Sequence, residues 1–327
     1  MQKKMKILIT GVAGFIGSNL AKRMAGEGIN VTGIDNLSQG LKRNISGLSK
    51  MDNFEFIKAD IRNYGFLKKK LTRKNFDYIY HLAAFKIPRY GNALDTLMIN
   101  AKGTESMLDL ARDKRSKFIF ASTSDVYGKN EKLPFSEESD LVLGPTRIKR
   151  WAYASSKVFD EHLCFAYREK YGLQTVVVRF FGGYGPNQNT TWWGGPQSVF
   201  IDCALKNKAV TLHGDGKQTR SFTYIDDTVE GLMRLMHRPF YDGEVFNIGN
   251  VREICIEDLA TMIWKMIRDT KPKIKFIPYD KLHKGYEDVM RRVPDTRKAE
   301  KFLGFKASVQ LEKGMPLTIE WQRSVTQ

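Results

Sequence analysis

Tyr153 and Lys157 stand four residues apart in a stretch with helical periodicity, so both side chains project from one face. A phenol with a pKa near 10 is only about one part in a thousand ionised at pH 7, and a neighbouring ammonium lowers that pKa by favouring phenolate. A tyrosinate formed in this way is a general base for a substrate hydroxyl while hydride leaves the same carbon. Many surface helices hold Tyr and Lys at this spacing, so the pair gains meaning from its company. Upstream, Ala121-Ser122-Thr123-Ser124-Asp125-Val126-Tyr127-Gly128 follows an apolar run and offers the Thr123 hydroxyl to share the proton.

A second constellation lies near the start. Gly11-Val12-Ala13-Gly14-Phe15-Ile16-Gly17 follows a strand pattern and opens a helical one. Glycines there permit a tight turn and close approach of backbone to a pyrophosphate, whose charge the helix N-terminal amides favour. About 20 residues on, the next strand ends in Asp35-Asn36, where a carboxylate can bind both ribose hydroxyls and would repel a 2′-phosphate. NAD is expected in preference to NADP. In Lys58-Ala59-Asp60-Ile61, Asp60 either accepts from an adenine amino group or caps a helix.

These residues need a frame. Up to about residue 180, short apolar runs alternate with amphipathic stretches, as repeated βαβ units do. Candidate strands are Lys6–Thr10, Val31–Ile34, Phe54–Lys58, Asp77–His81, Phe118–Ala121 and Thr175–Arg179, enough for a doubly wound parallel sheet. Phe15, Ile16, Leu20 and Met24 form one helical stripe, and Met107, Leu108, Leu110 and Ala111 another. After Gly182-Gly183-Tyr184-Gly185-Pro186 and Gly194-Gly195-Pro196 the order changes, with helical patterns at Gln197–Lys206, Asp226–Met236, Ile256–Ile267, Thr296–Leu303 and Leu311–Trp321. The expected architecture is α/β: a Rossmann-type cofactor domain over 1–180, rejoined by about 220–248, with a smaller mixed substrate-binding part from 181–219 and 249–327.

Composition limits the alternatives. The 327 residues are 42% hydrophobic and 27% charged, ordinary globular values, without repeats or low-complexity tracts. Lys3, Lys4 and Lys6 before Ile7–Ile16 mimic a signal peptide, but the glycines and the lack of a cleavage pattern favour a first strand and turn. No apolar run approaches a membrane span. Cys164, Cys203 and Cys255 suggest neither a disulfide framework nor a zinc site, and a reducing, cytoplasmic setting fits. His81, His162, His213, His237 and His283 lack ligand spacing, so no metal is expected. The net charge of +17 invites a nucleic-acid reading. However, Lys68-Lys69-Lys70, Arg73, Lys74, Arg147, Lys149, Arg150, Arg291 and Arg292 are scattered, as on a solvated basic surface that draws acidic small molecules.

With these motifs together the chain resembles the extended short-chain dehydrogenase/reductase family, the nucleotide-sugar epimerases and dehydratases. The resemblance spans nearly the whole chain. It is carried by Gly11-x-x-Gly14-x-x-Gly17, Asp35, His81-Leu82-Ala83-Ala84, Asn100, Ser122-Thr123-Ser124-Asp125-Val126-Tyr127-Gly128, Tyr153-x-x-x-Lys157, Tyr184-Gly185-Pro186 and Gly214-Asp215-Gly216-Lys217-Gln218-Thr219-Arg220. It implies a tightly held NAD, a Thr123–Tyr153–Lys157 triad, and cofactor contacts from Leu82, Ala83, Ala84 and Asn100. Substrate contacts fall to Lys86 and Ser124, Arg220 and Arg292 meet the diphosphate of a nucleotide-diphosphate sugar, and a homodimer forms through helices near 92–113 and 151–170.

In such a family oxidation at C4 leads to epimerisation, to loss of water across C5–C6, or to decarboxylation of a uronate. Relatives that dehydrate carry an Asp-Glu pair after the threonine, where this chain has Ser124 and Asp125. The Ser-acid order is similar to that of the decarboxylases, which carry Glu in place of Asp125. The sequence ranks 4-epimerisation first, decarboxylation second and dehydration third, with a non-enzymatic scaffold as the remaining class. Two departures stand out. Gly182 replaces the Asn of many relatives, and Trp192-Trp193 lies where they hold the nucleotide base, either to stack on a ligand or to fill the interdomain core.

Overall fold

The computed structural model describes residues 4–86, 92–236, 240–281 and 287–326; Lys3, His237 and His283 lie outside them. The first half alternates strand and helix: β1 (Lys6–Thr10), α1 (Phe15–Gly26), β2 (Asn30–Asp35), β3 (Phe54–Lys58), α2 (Tyr64–Lys70), β4 (Tyr78–His81), α3 (Ala93–Lys114), β5 (Lys117–Thr123), α4 (Arg150–Tyr171) and β6 (Thr175–Phe180). Short ribbons and helices follow: β7 (Gly183–Tyr184), α5 (Pro196–Leu205), β8 (Val210–His213), β9 (Thr219–Ser221), β10 (Thr223–Tyr224), α6 (Ile225–Arg234), β11 (Val245–Ile248), β12 (Glu253–Cys255), α7 (Ile256–Ile267), β13 (Ile274–Ile277), α8 (Arg297–Leu303) and α9 (Leu311–Thr326).

Seven strands pair in the order β11-β6-β5-β4-β1-β2-β3, every pair parallel. Strands covered on both faces read as continuous apolar runs, and β1, β4 and β6 do so. One face packs with α2, α3 and α4, through Leu67, Met107, Leu110 and Cys164. The other packs with α1 and α6 and runs on into α5, α7 and α9, so a single cluster of apolar side chains joins the sheet to the later part of the chain. Strand order reverses between β1 and β4, the place where open α/β sheets take their ligands.

Three differences from the sequence reading have local causes. The seventh strand, β11, is four residues long and interrupted by buried Asn247, too short and too polar to announce itself. β5 runs two residues past Ala121, because Ser122 and Thr123 keep the parallel register with Arg179 and Phe180. Met236 falls beyond α6, which ends at Arg234. No helix among the described residues is long and apolar enough to cross a membrane.

Candidate active site

A cavity of about 580 Å³, ample for a small ligand, opens over the carboxyl ends of the central strands and gathers almost every residue singled out above. Gly11, Gly14, Phe15, Ile16, Gly17, Asp35, Asn36, Asp60, Ile61, Leu82, Ala83, Ala84, Lys86, Thr123, Ser124, Asp125, Tyr153, Lys157, Arg220 and Arg292 all line it.

The β1–α1 turn forms one end. Gly14 stands at the N-cap position of α1, and no side chain caps the helix, leaving its first amides for an anion. A side chain on Gly17 would put Cβ 2.2 Å from Gly11 O, so only glycine lets the turn close against the helix. Asp35 ends β2 with its Oδ2 accepting from Ala13 N (3.0 Å) and its Oδ1 from Leu37 N (2.8 Å). Burial pushes its carboxyl up, and those two amides oppose the shift. Helix amides for a pyrophosphate beside a fixed carboxylate for a ribose diol are the donor set that NAD requires.

Asp60 does not cap a helix. Asn63 caps α2, accepting from Phe66 N at 3.1 Å, while Asp60 pairs with Arg62 at 2.8 Å and is held at about 2, chiefly by that guanidinium. Asn100 does not line the cavity; it stands behind the wall, accepting from Phe85 N (2.8 Å) and donating to Ser156 Oγ (2.9 Å), which fixes the segment after β4 against α4. His81, fully buried, shares hydrogen bonds with Thr10 (2.7 Å) and Thr104 (3.2 Å), and burial followed by Lys157 keeps it neutral.

Thr123, the last residue of β5, accepts from Asp125 N at 3.2 Å and faces the Tyr153 hydroxyl. The expected lowering of the Tyr153 pKa is not what the structure gives. Burial, then Asp125 and Asp160, push the phenol up, and the counter-pull comes from Thr123 and Arg292. Lys157 is fully enclosed, its ammonium 4.3 Å from the centre of the Phe120 ring, and burial lowers its pKa.

The arginines form a lattice that a scattered basic surface does not anticipate. Arg292 Nη2 lies 2.8 Å from Asp125 Oδ1, with Nη1 3.4 Å from Ser124 Oγ, so it stands at the segment that follows Thr123. Arg220 meets Asp288 at 2.8 Å, and Arg150 bridges Asp288 (3.1 Å) and Asp125 (3.7 Å). Burial brings the Arg220 guanidinium down to about 10 against the pull of Asp288. Three guanidiniums face two carboxylates, a net positive wall for an anionic ligand. Arg150 and Asp288 escape sequence reasoning; the one signal was Arg150 standing one helical turn before Tyr153.

Trp192 stacks on His213 (4.9 Å, 22°) and Trp193 meets Phe85 edge-on (5.6 Å, 73°). Both rings line the cavity, and Trp192 also packs on the core, so the two alternatives for it are not exclusive. Gly182 has φ +29°, and a Cβ there would stand 2.1 Å from Ser221 O; an Asn at that position requires the β9–β10 backbone to move. Beneath the site, Arg179 of β6 holds Glu161 of α4 (2.7 and 3.0 Å) and Tyr127 (3.1 Å), Ser122 donates to Glu161, and Tyr127 donates to Asn247 of β11 (2.7 Å).

The GDP-mannose 4,6 dehydratase family matches over residues 8–318. The chain is 35% identical to the UDP-N-acetyl-alpha-D-glucosaminuronate decarboxylase of Bacillus cytotoxicus, over 98% of this chain and 99% of that protein. It is 36% identical to UDP-glucuronic acid decarboxylase 1 of Xenopus tropicalis, over 98% of this chain and 72% of that one. Among solved structures, the UDP-glucuronic acid 4-epimerase of Bacillus cereus in complex with UDP-glucuronic acid and NAD superimposes with a TM-score of 0.87 at 29% identity, covering 98% of this chain and 100% of that one. A match across so much of the chain, on the fold and cavity described, means that the chain belongs to the GDP-mannose 4,6 dehydratase family, within the NAD-dependent nucleotide-sugar epimerases, dehydratases and decarboxylases of the extended short-chain dehydrogenase/reductases.

Proposed function

We propose that this chain is an NAD-dependent decarboxylase of a UDP-linked hexuronate. The observation that carries this is the Ser124–Asp125–Arg292 group beside Thr123, reinforced by Arg150. The β1–α1 turn and Asp35 would hold NAD, whose nicotinamide would supply the hydride acceptor for C4 and the hydride donor for the later ketone. Tyr153 takes the O4 proton as tyrosinate, the form that the Lys157 ammonium and the positive charge of a bound NAD would have to favour against burial and the nearby carboxylates, with Thr123 sharing the proton, and later gives it back. Oxidation places a ketone at C4, β to the C6 carboxylate. The C5–C6 bond then breaks, CO₂ leaves, the electron pair enters the C4 carbonyl, and a proton arrives at C5. Arg292 orients the carboxylate, while Asp125 on the same guanidinium keeps it from being fully neutralised, so the anion is not held against its loss as neutral CO₂.

Plain 4-epimerisation, which the sequence ranks first, needs Thr123, Tyr153 and Lys157 but gives Arg292 and Asp125 no task in the chemistry. It remains the second reading, favoured by the intact triad. Incubation with UDP-glucuronate and its N-acetylglucosamine counterpart, beside UDP-, dTDP-, GDP- and CDP-hexoses, separates the two by NMR. The expected result is CO₂ with a UDP-pentose. A C4 epimer that retains C6 overturns the decarboxylase reading.

We assign 1–180 and 220–248 to cofactor binding and the remainder to the nucleotide-sugar. The working form is a homodimer through α3 and α4, whose outer faces expose Leu94, Leu97, Met98 and Phe159; the molar mass from sedimentation equilibrium checks it, and a single-chain mass overturns it.

A further inference from the structure

Asp160 lies one helical turn beyond Lys157 on α4 with no solvent exposure, and neither carboxylate oxygen meets a well-oriented donor. Its neighbour Glu161 is already committed to Arg179 and Ser122. Lys157 is only 2% exposed where it reaches the cavity wall, with the face of Phe120 as its close contact, and no carboxylate among the described residues forms an ion pair with it. An ammonium without water or a counter-charge gives up its proton, and a carboxylate without donors takes one. Each of these two groups therefore lacks what the other supplies.

We propose that Asp160 is a positioning residue for Lys157: its uncommitted carboxylate is the counter-charge that keeps the lysine an ammonium inside a dry site. This rests on the reading of Tyr153 and Lys157 as the proton-handling pair. The surroundings leave the role to Asp160. On α4, Glu161 is spent on Arg179 of β6, and the Cys164 thiol is held neutral by burial. On α3, the Thr104 hydroxyl is turned toward Asp160 and pulls its carboxyl down without supplying a charge, and on β4, His81 is neutral. Burial lowers Lys157, and Asp160 heads the groups that oppose it. Burial raises Asp160 to about 6, with Lys157 pulling the other way.

Asp160→Asn keeps the shape and removes the charge. Two measurements test it: the pH dependence of kcat on UDP-glucuronate, and thermal unfolding of the substrate-free protein from pH 4 to 8. Lys157 should lose its proton sooner in the variant, moving the alkaline limb of kcat down by about one pH unit or more. The sign for stability is set by the raised carboxyl. The folded state binds the Asp160 proton more tightly than the unfolded state, so wild-type stability falls as pH rises from an ordinary 3.8 to about 6 and stays lowered above it. Asp160→Asn should lose that slope and melt no lower than wild type at pH 7.5, whereas removal of a merely structural residue lowers it. Superimposable pH–rate profiles, an undiminished slope, or a markedly lower melting temperature at pH 7.5 would overturn the proposal. Tyr153→Phe, run alongside, should cut turnover by about 10² to 10⁴; wild-type turnover there means that the site assignment itself has failed, whatever Asp160 does.

Discussion

Both oxygens of Asp35 already accept a backbone amide, from Ala13 and Leu37, yet the carboxylate still lines the cavity. Each oxygen keeps lone-pair capacity for a ribose hydroxyl, while the fixed negative charge can only repel a phosphate. Titration of the cofactor-free protein should show NAD bound more tightly than NADP by about tenfold or more, and Asp35→Ala should narrow the gap. Equal affinity of the wild type for both cofactors contradicts this reading. Residues such as Asp35, Thr123, Tyr153 and Lys157 were legible because their chemistry is written in local spacing. Asp288 was not, since its partners Arg150 and Arg220 are distant in sequence and meet it only in the folded chain. The same holds for Asp160, whose meaning lies in what fails to pair with it.

β5 and α4 carry the residues proposed to handle the proton, and what fixes α4 to neighbouring β6 is the ion pair of Arg179 with Glu161, both about 5% exposed. Burial works against the Arg179 charge, and Glu161 outweighs it. Glu161→Gln leaves that guanidinium buried and uncompensated, a loss of about 3–5 kcal/mol. Replacing both partners by apolar residues of similar volume should cost far less, and denaturant titration distinguishes the two. Equal destabilisation by the single and double variants would show that packing, not charge, ties the elements. At this scale the sequence reading located β1, β3 and α7 to the residue, because each is an apolar run or stripe closed by turn residues. It stopped β5 short of Thr123 because two hydroxyl residues look like a turn, whereas the parallel register with β6 keeps them extended. It gave no strand at β11 because Asn247 breaks the apolar run, although in the fold that side chain is satisfied by Tyr127, Phe135 and Asp295.

Across the whole molecule the excess of +17 attracts anions of every kind. Binding to random duplex or single-stranded nucleic acid should be weak and should fall away as salt rises from about 50 to 200 mM. Filter binding checks this, and sequence-selective retention at physiological salt would restore the scaffold reading. Such long-range attraction does not discriminate, so discrimination has to occur at the cavity wall. There Arg150, Arg220 and Arg292 are not waiting with open hands, since Asp125 and Asp288 already occupy them. An incoming anion has to share each guanidinium with a partner that is covalently part of the chain and present at very high local concentration. Binding is thus a competition for fixed cations, with a threshold built in. Free phosphate or acetate, offering a single weak contact, stays below that threshold. A ligand that engages several guanidiniums at once crosses it.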